Sequence, residues 1–231
     1  MQFSRRLVVV GVVMLGGCGL MDALDKLKSI NFTLPAQKFS VSTNNANWRS
    51  PPPGGIPPLP CGPGQPVADC CASPVDCTRT PLSCEAERCA LKFRYEQVQE
   101  VNLARDAPAL KSVNGMVISQ VLLKQIDLDV DNMMNVTTPP IDLYVAPANV
   151  TSTSMTGAQK LATIPMQAPG FKGHVVVPLD ASAQQAFSNF ARATQTPFNL
   201  ITSTGWVVKS GDPVPMGNID FVVSGQVEAK L

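Results

Sequence analysis

The sequence predicts a mainly β chain: an antiparallel β-sandwich with one short helix, a Pro-rich spacer and a small disulfide-rich segment. Three observations carry this expectation. Apolar and polar residues alternate with period 2 in short runs from Leu91 to the C-terminus, punctuated by turn signals such as Pro147, Gly157, Pro169-Gly170 and Gly211-Asp212-Pro213. Only 15% of the 231 residues are charged and 21 are Pro, so the Lys and Glu that cover exposed helix faces are scarce. Six of the seven Cys fall between Cys61 and Cys89. The charge balance, 18 Lys and Arg against 17 Asp and Glu, gives no basic surface for nucleic acid.

At the N-terminus, Arg5 and Arg6 precede the apolar run Leu7 to Leu15, which ends in Gly16-Gly17-Cys18. A basic start, an apolar stretch of about 7–15 residues and small residues at the cut describe a secretory signal over 1–17. The run is about half the roughly 20 residues needed to span a bilayer. Leu15-Gly16-Gly17-Cys18 resembles the lipobox of bacterial lipoprotein precursors. That resemblance, confined to residues 1–18, implies that Cys18 is acylated and becomes the first mature residue. Cysteine parity agrees, because removing Cys18 leaves an even set suited to three disulfides in an exported chain. Cleavage removes Arg5 and Arg6 and no acid, so no polybasic patch assists at a membrane surface; two acyl chains anchor without one. Similar lipoproteins stay in the inner membrane when Asp follows the lipidated Cys. Gly19 follows here, which implies the outer membrane, on either its periplasmic or its surface side.

Leu20, Leu24 and Leu27 recur at helical spacing, an amphipathic tether over 18–29. Ile30, Phe32 and Leu34 alternate with polar residues and Phe39 and Val41 resume the pattern, giving an N-terminal strand over 30–41. Residues 42–60 turn polar and then Pro-rich, which reads as an extended linker. The segment 61–89 holds Cys61, Cys70, Cys71, Cys77, Cys84 and Cys89 and almost no large apolar side chain, so covalent staples must replace a core. Its pattern, C-x8-CC-x5-C-x6-C-x4-C, resembles the cystine-rich mini-modules of secreted toxins and inhibitors. In the knottin pattern the adjacent pair stands third and fourth; here it stands second and third, and all 15 connectivities stay open. Zinc is the competing use of Cys84-x4-Cys89, disfavoured by an oxidising compartment and the lack of His nearby. The segment is either a separate module or, if the 30–41 strand joins the sandwich, an insertion at its edge.

The sandwich itself is expected over 90–231. Strands are expected at Leu91–Tyr95, within Val113–Asp131, at Ile141–Val145, Leu161–Met166 and Val175–Leu179, at Phe198–Val208 with a break at Thr204-Gly205, and from Ile219 to the C-terminus apart from Gly225. One segment differs: residues 180–191 lack β-branched side chains and place Ala183, Phe187, Phe190 and Ala191 on one helical face, with Asp180 or Ser182 as N-cap. This helix is expected to close an edge or end of the sandwich.

Chemistry-bearing groups are few. His174, the single His, opens a strand and has no G-x-S-x-G partner, and no phosphate-binding or dinucleotide motif occurs. Asp127, Asp129 and Asp131 are weak calcium candidates. Read as an EF-hand loop they fail at Asn132 and Thr138, and their alternation makes them the solvent face of a strand. Sequons occur at Asn31, Asn135 and Asn149. Met133-Met134 reads as core and loop packing. The sequence therefore points to a non-catalytic, lipid-anchored envelope protein that binds or scaffolds an envelope protein or glycan, with no cofactor and no nucleic acid. A carrier of a lipid or other apolar ligand, with Phe187 and Phe190 lining a pocket, and an inhibitor-like Cys-rich module are the alternatives.

Overall fold

A computed structural model describes residues 29–46, 48–51, 55–58, 61–62, 70, 82–107, 110 and 118–230. The chain runs β1 (Ser29–Ser42), β2 (Leu82–Glu85), β3 (Arg88–Val101), α1 (Leu103–Asp106), β4 (Gln120–Asn132), β5 (Ile141–Pro147), β6 (Gln159–Ile164), β7 (Lys172–Val177), α2 (Ala181–Ala191), β8 (Phe198–Lys209) and β9 (Asn218–Lys230). These strands form two antiparallel sheets, one ordered β1-β9-β4-β7 and the other β2-β3-β8-β5-β6. The sandwich predicted from alternation is the observed fold.

Period-2 burial explains the packing. Phe39 and Val41 of β1, Leu123, Ile126, Leu128 and Val130 of β4, and Ile219, Phe221 and Val223 of β9 point inward from the first sheet. Tyr95 of β3, Leu143 and Val145 of β5, and Phe198, Leu200 and Trp206 of β8 meet them from the second. Burying one such side chain contributes about 1.5–3 kcal/mol, so a core of this extent holds the sheets face to face. β1 pairs with β9 along nearly its whole length, from Ser29↔Lys230 to Ser42↔Asn218. The first described strand is thus zipped to the last.

The far edge of β1 is closed by side chains. Tyr95 Oη donates to Ser40 O (3.2 Å), Gln97 Oε1 accepts from Ser40 N (2.8 Å) and Gln99 Nε2 donates to Lys38 O (3.2 Å). β3 thereby satisfies an edge that would otherwise offer unpaired backbone groups. At the end where β1 begins, α2 packs on β4 and β6 and spans from one sheet to the other. Asp180 caps it, accepting from Ala183 N at 2.7 Å. Phe187 is fully buried and meets Phe198 edge-on at 5.8 Å.

Several details depart from the sequence reading. β8 runs unbroken through Thr204-Gly205, because Gly205 pairs with Arg94 in a regular register. β7 ends at Val177, and β6 is displaced to Gln159–Ile164. The short helix α1 and strand β2 were not expected from the pattern. The division at residue 90 crosses a hairpin, since Cys84 lies in β2 and Cys89 in β3. Within the stretch read as linker, Trp48 is 8% exposed and enters the core, with ring contacts to Phe93 (4.8 Å), Trp206 (5.0 Å) and Tyr95 (6.4 Å). A lone Trp in a polar run carries no periodicity, so nothing local marks it as core.

Candidate functional site

The two ends of the sandwich differ in character. β1 begins at the end covered by α2 and finishes, on the order of 40 Å away at 3.3 Å per residue, at the end that carries the connections after β1, β4, β6 and β8. There the loops after β1, β4 and β8 are tied together. Thr43 N donates to Gly217 O (3.0 Å), Met133 N to Asn218 O (2.8 Å) and Asn135 N to Met216 O (3.0 Å). Asn135 also donates through Nδ2 to Val214 O (3.0 Å) and accepts from Met216 N (2.7 Å). Asn132, fully buried, donates to Gln167 O and Ala168 O and accepts from Met134 N. A loop satisfied this completely is a firm platform.

On this platform sit apolar side chains that face solvent: Met133 (54% exposed), Met166 (64%), Met216 (63%), Val207 and Val214. A groove of about 460 Å³ lies among Val136, Pro139, Met166, Val207, Pro213 and Pro215. Met134, by contrast, is core. Exposed apolar side chains gathered around a groove mark this end as the candidate place of interaction.

The cysteines brace the same end. Cys61 bonds to Cys84 and Cys70 to Cys89, an interleaved pairing that ties the upstream segment to the β2-β3 hairpin. Cys61, Cys70, Leu82, Cys89, Leu91 and Val208 form a small second core, with Ile56 packed on it. Cys61, Cys70 and Cys89 place their sulfurs within 4.8 Å of one another, yet all are consumed in S–S bonds and leave no thiolate for zinc. The expected disulfide chemistry is present in these four. Cys71 and Cys77, the leader with Cys18 and the tether lie outside the described residues.

The aspartates line up on the outer face of the first sheet. Asp129 stands opposite His174 and Asp131 opposite Lys172, across β4 and β7. Lys172 Nζ lies 2.6 Å from Asp131, while His174 reaches Asp129 through Nδ1 (3.1 Å) and Asp127 through Nε2 (3.4 Å). The bond to Asp131 raises the Lys172 pKa. Lys172 on the edge strand thus offsets part of the like-charge repulsion that the sequence pattern carried, and the His174 ring bridges Asp127 and Asp129. Alternate residues on a strand lie roughly 6–7 Å apart, so the three carboxylates are spread along a line and do not converge on a point. A shallow groove of about 600 Å³ runs over this strip between Lys38 and Lys172. Asn31 and Asn149 are exposed, on β1 and in the turn after β5.

One partly buried carboxylate escaped the sequence reading. Burial opposes ionisation of Glu96, but hydrogen bonds from Thr153 Oγ1, Ser152, the Thr153 amide and Ser203 outweigh it and hold its carboxyl below the usual 4.5. It pins the β5-β6 loop to the outer face of the second sheet, where Ala146, Val150 and Ile201 form a satellite core. Its partners lie far away in sequence, so no motif could reveal it.

No family model and no curated protein matches this chain. Among solved structures, the decameric BFDV capsid protein is similar with a TM-score of 0.33 and 8% identity, over 88% of this chain and 100% of that one. Desmodium yellow mottle tymovirus gives 0.26 and 14%, over 74% and 92%. Turnip yellow mosaic virus gives 0.27 and 12%, over 66% and 86%. Scores this low assign neither a family nor a function.

Proposed function

We propose that this chain is a lipid-anchored, non-catalytic protein of the cell envelope, held in the outer membrane through Cys18, whose sandwich presents its loop end to an envelope protein or glycan. The observation that carries the reading is the polarity of β1. The tether enters at Ser29, beside Lys230, whereas the braced loops with Met133, Met166 and Met216 lie at the other end of the strand. An anchor at the first end turns the second away from the membrane. The non-catalytic part rests on His174, whose ring partners among the described residues are the carboxylates of Asp127 and Asp129 and not a hydroxyl or thiol to be activated. Phe187 fills the core and meets Phe198, which favours binding at the surface over carriage inside.

The test compares Cys18→Ser with the natural chain by fractionation, each carrying a photoreactive group at Met216 or at Ser182. The natural chain is expected in the membrane fraction and cross-links from Met216 to one discrete component. Cys18→Ser is expected in the soluble fraction. Retention of Cys18→Ser in the membrane, cross-linking from Ser182 alone, or hydrolysis of an ester, peptide or glycoside panel by the pure protein would overturn the reading.

A further inference from the structure

The four paired cysteines are arranged for exchange as well as for bracing. Cys61, Cys70 and Cys89 are 2%, 0% and 0% exposed, while Cys84 is only partly buried. The Cys61, Cys70 and Cys89 sulfurs lie within 4.8 Å of one another, so the two disulfides are packed against each other. Cys84 and Cys89 stand directly opposite across β2 and β3, one pair removed from the two-residue turn at Ala86-Glu87. Pairs next to the closing pair of such a hairpin are the close, non-hydrogen-bonded kind, with Cα atoms about 4.5 Å apart. That is within the Cα range of about 4.4–6.8 Å that a disulfide spans.

We propose that Cys84 is an attack point for an external thiol, through which the interleaved pairing converts to a local one, Cys61–Cys70 with Cys84–Cys89. A thiolate RS⁻ attacks Cys84 Sγ, forming RS–S–Cys84, and the Cys61–Cys84 bond breaks with Cys61 leaving as thiolate. Cys61 attacks Cys70 Sγ, forming Cys61–Cys70 and releasing Cys89 as thiolate. Cys89 attacks Cys84 Sγ across the hairpin, forming Cys84–Cys89 and returning RS⁻. Two disulfides give two disulfides, so the thiol is a catalyst and no oxidant or reductant is consumed.

The consequence is an unlatching. Native links close separations of 23 and 19 residues and tie the Pro- and Cys-rich insertion to the hairpin. The local links join positions 61 to 70 and 84 to 89 and release it, uncovering Leu82, Leu91 and Val208. The inference does not depend on the lipid anchor.

The experiment uses the oxidised full chain with a catalytic amount of cysteamine under argon at mildly alkaline pH. After an acid quench, cross-links are mapped without reduction, with cleavage before Asp69 and Asp76 and after Arg79 and Arg88, which places Cys70, Cys77, Cys84 and Cys89 on separate peptides. The Cys61–Cys70 and Cys84–Cys89 links are expected to rise together in equal amounts as the native links fall, with the free-thiol count constant. In Cys84→Ser, which leaves the Cys61 thiol beside Cys70–Cys89, a Cys61–Cys70 link is expected without added thiol. Native links that persist until net reduction removes them, or new links that run to Cys71 or Cys77, would overturn the proposal.

Discussion

At the scale of single residues, Glu96 shows how a partly buried charge is retained. Its side chain is 18% exposed and its lone pairs are filled by Thr153, Ser152 and Ser203. Hydrogen bonds to a charged acceptor contribute about 1.5–3 kcal/mol each where they are desolvated. Glu96→Gln is therefore expected to lose about 1–2 kcal/mol of stability at neutral pH by urea denaturation. Because the folded value is depressed, the contribution is complete above 4.5 and disappears as pH falls through the folded value. The gap between natural chain and variant should close on acidification; a gap independent of pH would mean the charge is not what holds the loop. Gly225 argues the opposite case, where the missing side chain matters. A Cβ there would meet Gln125 O and Leu123 Cδ1 at 2.8 Å, where β4 shifts register, and β1 shifts beside it as well. Gly225→Val should cost about 1–3 kcal/mol or more, read from the denaturation midpoint. The sequence marked Gly225 as the break in an otherwise regular alternation, and the break is where both neighbouring strands bulge.

At the scale of elements, legibility followed period. β4, β5 and β9 alternate because one face is core and the other faces outward, and each was expected from its pattern; β8 was expected with a break at Thr204-Gly205, and its first seven residues are buried on both faces. α2 was expected from the absence of β-branched residues and from its cap, and Asp180 is that cap. Asp180→Ala should lower the urea denaturation midpoint, and Asp180→Asn should restore most of the loss, as a capping role requires. Elements made by partners instead of pattern stayed hidden. β2 is four residues long and exists because β3 and the Cys61–Cys84 disulfide hold it. Trp48 is core because Phe93, Tyr95 and Trp206 surround it, and they come from strands that begin at least 40 residues later. The three aspartates were read correctly as a strand face, but His174 and Lys172 come from a strand whose register no local rule supplies.

At the scale of the molecule, the fold makes one long insertion and two distinct ends. β1 ends at Ser42 and β2 begins at Leu82 at the same end of the sandwich, which is where the chain makes its excursion between these two strands. The disulfides hold that excursion down. Loops of roughly 20 residues closed by one disulfide contribute about 3 kcal/mol in the chain-entropy account. The double variant Cys70→Ala with Cys89→Ala should lose about that much, read as a lower denaturation midpoint with the sandwich still folded, since the main core contains neither residue. Loss of all β structure would mean the small second core carries the fold. The most direct measurement of the whole account is the intact mass of the protein extracted from membranes, before and after reduction. The expected mass is that of residues 18–231 plus acyl chains, gaining six hydrogens on reduction: four from the Cys61–Cys84 and Cys70–Cys89 disulfides and two from Cys71 with Cys77. A chain without lipid, or one that begins at Met1 and gains no hydrogens, would contradict it.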